Sequence, residues 1–414
     1  MKPNEGPSIK APEGRPSVNA NLLIIFGTTL IAVMGVASIT PAFPVMSVAL
    51  GIPAELVSLV VIVFTIPGVF LTPFFGVAAD RYGRKRVLAP SLLLFGFAGF
   101  ACAFSESLGL VLGFSSFLIL LILRFIQGIG AASLGSLNVT IIGDLYHRKQ
   151  RTQVMGYNVS VQSIGTAVYP TVGGFLALFA WYFPFYLPLV AIPIGIAVLF
   201  WLTVLCPDQE LTLREYFRQI GFVIQEKQVV GLFIVGTSLF IMLYGAIITF
   251  LPSLVVLVFS SNSFIAGLVV SFISVTSAIT AFLVGFLIRR FRMKLILLAA
   301  FPFLALGLFL IPFTPTLLVI FIPVGVFGVG MGLAIPTTQN LLVNLAPIEY
   351  RAAVMSLNGL VLRLGQTLGP IIMTLVLVSL TLPGVYWVGA IIGLCLIPVV
   401  LFTIPAQAGT QRER

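Results

Sequence analysis

The sequence predicts an all-α membrane protein of twelve transmembrane helices, arranged as two pseudo-symmetric six-helix bundles. Three observations predict it. Of the 414 residues, 59% are hydrophobic and only 8% charged, whereas soluble domains carry about 25% charge. Apolar runs long enough to cross about 30 Å of hydrocarbon recur along the whole chain. Part of the second half also repeats the first in register. Strands of a membrane β-barrel alternate polar and apolar residues, which excludes that class at this composition.

Residues 1–19, rich in Pro, Gly and charge, read as a disordered tail, and no small-residue cleavage site marks a removable signal peptide. Apolar runs predict spans at 20–42, 55–78, 87–105, 116–143, 152–179 and 183–205, an N-terminal bundle over 20–205. The interval 206–228, CPDQELTLREYFRQIGFVIQEKQ, is the longest polar stretch inside the chain. Leu213, Tyr216, Phe217, Ile220, Val223 and Ile224 recur there at helical spacing between Arg214 and Arg218, as in a helix lying on a membrane surface. A C-terminal bundle over 229–405 follows, with spans at 229–251, 264–288, 295–313, 316–345, 352–379 and 385–405, then a tail over 406–414.

Charge tests this topology. Twenty of the 22 Lys and Arg residues fall in the tails, the central linker and the loops on one side of the expected spans. The other two, Arg124 and Arg363, fall inside spans. A missed helix would scatter the basic residues over both faces. The positive-inside rule therefore places both termini in the cytoplasm of a multi-pass plasma (inner) membrane protein. The net charge of +10 is explained by topology, so no nucleic-acid partner is expected; the expected partners are the bilayer and a small molecule, with the chain a monomer. The spacing of Cys102, Cys206, Cys395 and the single His147 fits neither a disulfide framework nor a metal site, so no metal or cofactor is expected. An enzyme reading finds no nucleophile, base or metal cluster.

A shift of 200 aligns RTQVMGYN from Arg151 with RAAVMSLN from Arg351, and over 151–170 seven of twenty pairs are identical, Pro170 and Pro370 among them. A slightly longer shift sets Gly76, Arg81 and Lys85 on Gly285, Arg290 and Lys294. Two halves of like orientation are the usual frame for a site between repeats.

Three motifs sit on this frame. The loop between the second and third spans reads Gly76-x-x-x-Asp80-Arg81-x-Gly83-Arg84-Lys85. The fourth span carries Arg124, Gln127 and Gly128, and the fifth Gly156, Gly165, Pro170, Gly173 and Gly174. With these motifs the chain resembles the major facilitator superfamily over nearly its full length. The fifth-span pattern is similar to that of the twelve-helix drug/proton antiporter branch, departing at Tyr169, where that pattern has glycine. The resemblance implies the major facilitator fold, alternating access, and efflux of the multidrug-resistance type driven by a proton gradient. It implies that the Gly76–Lys85 loop latches the two halves together while the protein is open outward, and that Arg124 acts either in coupling or as a structural donor.

Physical chemistry bears on each motif. Gly76 is expected to allow close helix approach, and Asp80 to pair with a neighbouring Arg or a helix N-terminus. A plain cationic anchor would need neither glycine nor Asp80. The fifth-span glycines predict a flat packing face, loosened by Pro170 and narrowed by Tyr169. A charge at mid-membrane costs about 2.5–3.5 kcal/mol on insertion scales, so Arg124 and Arg363 each require a polar environment. Arg363 points to function, since its duplicate position is the neutral Ser163. No carboxylate is expected at mid-membrane, which favours a neutral or anionic substrate over a cation. Asp144, near one end of the fourth span, is a proton-site candidate. Ser38, Asn138, Tyr244, Thr337, Gln339, Asn340, Arg363 and Gln366 are cavity candidates, each also readable as an interhelical hydrogen bond. Beside efflux, two alternatives stay open: uptake or facilitated transport of an organic anion, and a non-transporting membrane sensor.

Overall fold

The computed structural model describes residues 20–146, 148–203, 218, 221, 226–345 and 351–405. Most of the linker helix expected at 206–228, and both tails, lie outside the described residues. The described chain folds into α1 (Ala20–Leu50), α2 (Ala54–Tyr82), α3 (Arg84–Leu112), α4 (Ser116–Leu145), α5 (Arg148–Leu176), α6 (Phe183–Trp201), α7 (Lys227–Leu257), α8 (Ser263–Arg290), α9 (Met293–Phe313), α10 (Phe321–Leu345), α11 (351–380) and α12 (382–403). Ten helical stretches are long and apolar enough to cross a membrane. The last of them is α11 and α12 together, broken at Thr381, where φ is 67°. The twelfth helix, α5, is too polar to be found that way, carrying Gln153, Asn158, Gln162 and Ser163, yet it packs between α1 and α8. The protein is an integral multi-pass membrane protein.

Several spans run differently from their sequence limits. The first extends to Leu50 and the third to Leu112, while α5 ends at Leu176 and the sixth begins as a 3-10 segment, Phe183–Val190. Proline explains the deformations of α1 and α7. A proline has no N–H to give to the carbonyl four residues earlier, and its ring crowds that carbonyl. In α1 the regular helix stops at Ala37, passes through a 3-10 turn at Thr40–Ala42, and resumes at Phe43 ahead of Pro44. In α7 the turns preceding Pro252 widen into a π-helix over Met242–Phe250, where the Thr249 hydroxyl donates to the Tyr244 carbonyl at 2.6 Å. Proline thus breaks the regular geometry at corresponding places in the two halves. Between α2 and α3 a single residue, Gly83, makes the turn with φ 96° and ψ 139°, a conformation open only to glycine.

Each half has its own apolar core, one drawn from residues 22–202 and the other from 229–404. Within the first, α4 packs on α2 and α3, α3 on α6, and α1 on α5; within the second, α9 and α8 pack on α10 and α7 on α11. The halves meet along α2 with α11 and α5 with α8, and where the ends of α1 and α7 touch. One end of the bundle, bearing Arg84, Asp144, Arg151 and Arg289–Lys294, is called the basic end below; the other is the far end.

Candidate functional site

The seam between the halves is polar but uncharged over most of its length. Along α2 and α11, the Thr374 hydroxyl meets that of Ser58 at 2.8 Å, and Thr367 donates to Thr65 at 2.9 Å. Along α5 and α8, Thr171 and Ser271 share a hydrogen bond of 2.8 Å, and Ser274 donates to the Thr166 carbonyl at 3.2 Å. Backbones touch there too: a Cβ on Gly174 would overlap the Ser263 carbonyl, and one on Gly267 the Pro170 carbonyl. Small residues allow such approach, which in a membrane supplies much of the packing energy. All these contacts fall from mid-helix to the far end.

Toward the basic end the same four helices separate. Gly76 on α2, Gly156 on α5, Gly285 on α8 and Gly359 on α11 each have no neighbouring atom within 4 Å of where a side chain would begin. The bundle is closed at its far end and open at its basic end. This corrects the expectation that Gly76 and Gly156 serve close helix packing: in this conformation neither does. The remaining fifth-span glycines do pack. A Cβ on Gly173 would overlap the Ser38 carbonyl of α1, and one on Gly165 would approach Val33 to 2.8 Å. Tyr169 lies against Gly165 on the same helix.

Where the halves part, a cavity of about 80 Å³ opens between α1, α5, α7 and α8. Val33, Ile247 and Ile273 give it an apolar wall, and Thr166, Tyr244 and Ser274 supply hydroxyls. The Tyr244 ring stacks on Phe240 with centroids 5.7 Å apart. The π-helical stretch of α7 presents Tyr244, and such stretches are frequent at functional sites.

Arg363 lies midway along α11. It reaches across the seam, donating from Nη2 to the α4 carbonyls of Ala131 and Ala132, both at 3.3 Å. Thr72 donates to the same Ala132 carbonyl at 3.0 Å, and Gly68 of α2 leaves room for the guanidinium. Arg124 differs in every respect. It is 1% exposed and wholly enclosed by the first half, with Nε on the Val60 carbonyl at 3.2 Å and Nη1 on the Gly35 carbonyl at 3.0 Å and Gln127 Oε1 at 2.7 Å. Its guanidinium lies 4.2 Å from the centre of the Phe64 ring, a cation–π contact. Gly128 lets α4 seat against the Phe64 carbonyl. This geometry is the structural-donor alternative: Arg124 ties α4 to α1 and α2.

At the basic end, Arg84 is 8% exposed and pairs with Asp80 four residues earlier and with Asp144 Oδ2 of α4 at 2.9 Å. Asp144 therefore belongs to the same ionic cluster as the loop motif and does not stand apart as a lone proton site. The cluster joins α2, α3 and α4 of one half. The latch expected between halves is not formed in this conformation; among the described residues no ion pair crosses the seam. Arg81 is exposed, and neither it nor Lys85 pairs with a described carboxylate. Lys294, the duplicate of Lys85, instead donates to the Leu401 carbonyl at 3.1 Å and to that of Ile404, capping the end of α12. A cation at a helix C-terminus is favoured, and the proximity of α9 and α12 was invisible to sequence reasoning.

The cavity candidates divide. Tyr244 lines the cavity, and Arg363 reaches the seam near it. Ser38, Asn138 and Thr337 are fully buried within packed helices, which corrects their placement in a cavity. The Ser38 hydroxyl returns to the Met34 carbonyl at 2.8 Å. Asn138 donates to the Ile25 carbonyl at 3.0 Å and joins Thr29 and Asn158 in a network tying α1, α4 and α5. Gln339 and Asn340 are exposed on α10, Gln339 beside a small pocket with Phe240 and Asn358, and Gln366 is half-buried on α11. Sequence reasoning missed the hydroxyls of the seam (Ser58, Thr65, Thr171, Ser271, Ser274, Thr367 and Thr374). Small polar residues in apolar helices are common, and only the pairing of helices singles these out.

Comparison with known proteins agrees with this architecture. A family model described as the Major Facilitator Superfamily matches residues 25–365 and 233–414. The chain is 21% identical to the bacillibactin exporter of Bacillus subtilis over 416 residues, covering 95% of this chain and 98% of that one. Over 169 residues it is 25% identical to the quinolone resistance protein NorA of Staphylococcus aureus, 41% of each chain. Among solved structures, the D-xylose-proton symporter superposes with a TM-score of 0.75 at 17% identity, covering 94% of this chain and 98% of that one.

Proposed function

The chain belongs to the Major Facilitator Superfamily, a transporter and not an enzyme, and from that premise we propose that it exports a small organic molecule by alternating access in exchange for protons. The single observation that carries the alternating-access reading is the asymmetry of the seam. Two halves with independent cores touch from mid-helix to the far end and separate toward the basic end. If the basic end is cytoplasmic, as the distribution of Lys and Arg argues, this is the inward-open state. The opposite state follows by rocking: the far-end hydroxyl pairs part, and the bare faces at Gly76, Gly156, Gly285 and Gly359 close on their partners. The Asp80–Arg84–Asp144 cluster then stands at the rim of the closing interface, where it serves as the cytoplasmic latch.

Export is supported by the relatives, one named a bacillibactin exporter and one a quinolone resistance protein. The proton gradient is the driving force this reading names. Cells overproducing the chain should retain less of neutral or anionic fluorescent dyes such as Nile red or fluorescein than cells lacking it, and a protonophore should abolish the difference. Equal retention across a panel of such dyes, or a difference untouched by the protonophore, defeats proton-driven export. One observation favours a second reading, carriage of an organic anion inward: Arg363 is a cation at the seam that none of the described carboxylates faces. Higher accumulation of organic acids in overproducing cells would select that reading.

A further inference from the structure

We propose that Arg363 recognises the substrate through an acidic group, and that the substrate is an organic anion with an apolar body. Binding exchanges the Ala131 and Ala132 carbonyls for the anion on the guanidinium. This rests on the transporter reading but names the substrate class, which that reading leaves open.

The described membrane helices carry two charged side chains away from their ends, Arg124 and Arg363. Arg124 is sealed within one half, with Nε and Nη1 held by acceptors of that same half, so it moves with that half and meets no ligand. Arg363 is half-buried, and its acceptors are two neutral carbonyls in the middle of α4. Their 3.3 Å separations exceed the roughly 2.7–2.9 Å of a charge-assisted bond to an anion. Among the described residues, the carboxylates Glu55, Asp80, Glu106, Asp144 and Glu226 all stand at or beyond helix ends, so none neutralises it. A planar guanidinium offers a fork matched to a carboxylate, whereas two stacked helix carbonyls engage one nitrogen of it.

The surroundings define the rest of the ligand. Tyr244, whose neutral phenol lies within electrostatic reach of Arg363, lines the cavity. That cavity, of about 80 Å³, holds roughly six waters at about 10–15 Å³ each, room for a compact apolar group. Its walls are chiefly aliphatic. One guanidinium and one acidic group leave the loaded site neutral, so a monoanion suffices. Because the carbonyls that Arg363 gives up belong to the opposite half, loading the site loosens a cross-half contact.

The test is thermal unfolding of the intact chain in phosphatidylcholine nanodiscs with 2-naphthoate, 2-naphthamide or 2-naphthylmethylammonium. Naphthoate is expected to raise the midpoint by several degrees, and the amide and ammonium to leave it unchanged. Arg363→Gln should abolish the naphthoate shift, and Arg363→Lys should weaken apparent affinity about tenfold. Thr367→Val, which removes a neighbouring cross-half bond but spares the guanidinium, should keep the shift. Equal shifts by naphthoate and naphthamide, no shift by naphthoate, or a shift retained in Arg363→Gln would each overturn the assignment. Should Arg363→Gln not fold, the acid-to-amide comparison and Arg363→Lys decide. Failure here is separable from failure of the export reading: dye export without naphthoate selectivity sinks only the anion site, and naphthoate binding without any transport sinks only the export reading.

Discussion

Thr171 of α5 and Ser271 of α8 stand oxygen to oxygen at 2.8 Å across the boundary between two halves whose cores are otherwise separate. The bond lies in the closed part of the seam. If the halves rock, this contact must break once in every cycle. Thiols at these positions start near the S–S bonding distance of about 2.05 Å. In a chain with Cys102, Cys206 and Cys395 replaced, Thr171→Cys with Ser271→Cys should cross-link under mild oxidation. Transport measured in proteoliposomes should fall at least tenfold and recover on reduction. Undiminished transport by the cross-linked chain would show that this seam does not open.

Gly173 and Gly156 share a helix but not an environment. A side chain at Gly173 meets the Ser38 carbonyl, and overpacking of this kind costs about 1–3 kcal/mol. Gly173→Val should lower thermal stability and leave the far end accessible to impermeant thiol reagents. Gly156 faces empty space, so Gly156→Val should leave stability of the basic-end-open state unchanged while slowing transport, by obstructing the opposite state. Comparable loss of stability in both variants would contradict the open basic end.

Arg124 bridges three elements through donors in a fixed plane, which an ammonium group cannot match. Arg124→Lys should destabilise the first half by about 2–4 kcal/mol, since it leaves buried carbonyls and Gln127 without their partner. The amount of folded protein, followed by size-exclusion chromatography, should drop, and transport per folded molecule should fall less. A well-folded variant with no transport would instead assign Arg124 to coupling.

Removing Arg84 leaves Asp80 and Asp144 near each other without a cation. Breaking a fully buried pair costs about 3–5 kcal/mol; Asp144 is a quarter exposed, so about 1–3 kcal/mol is expected for Arg84→Gln. Adding Asp144→Asn should recover part of that loss. A double variant no more stable than the single one would mean the two carboxylates do not interact through Arg84.

Pro252 accounts for the widened turns of α7. Pro252→Ala restores an amide N–H and should let Met242–Phe250 return toward α-helical spacing. Tyr244 then turns away from the cavity, and affinity for any cavity ligand should weaken with little change in folding. Unaltered binding would separate the π-helix from the site.

How much of this was legible beforehand differs by residue. The pairing of Asp80 with Arg84 was readable because i,i+4 contacts are a local matter. The one-sided placement of Arg and Lys, and the match of Arg151–Pro170 to Arg351–Pro370, were readable because topology and duplication are written along the chain. Ser38 and Tyr244 looked alike as polar residues in apolar spans, yet one is sealed against Gly173 and the other lines the cavity. The motif glycines Gly76, of the latch loop, and Gly156, of the fifth span, stand apart from any neighbouring helix in this conformation.

By itself the sequence determined the class of protein, the number of its helices and which loops carry charge, because hydropathy, local propensity and repetition act over short chain distances. Only the tertiary structure decided which hydroxyls pair across the seam, that Arg124 is bound within one half while Arg363 crosses between halves, and which end stands open. Those outcomes depend on how two rigid bundles lean on each other, a relation between residues some 100 to 300 positions apart that no local pattern encodes.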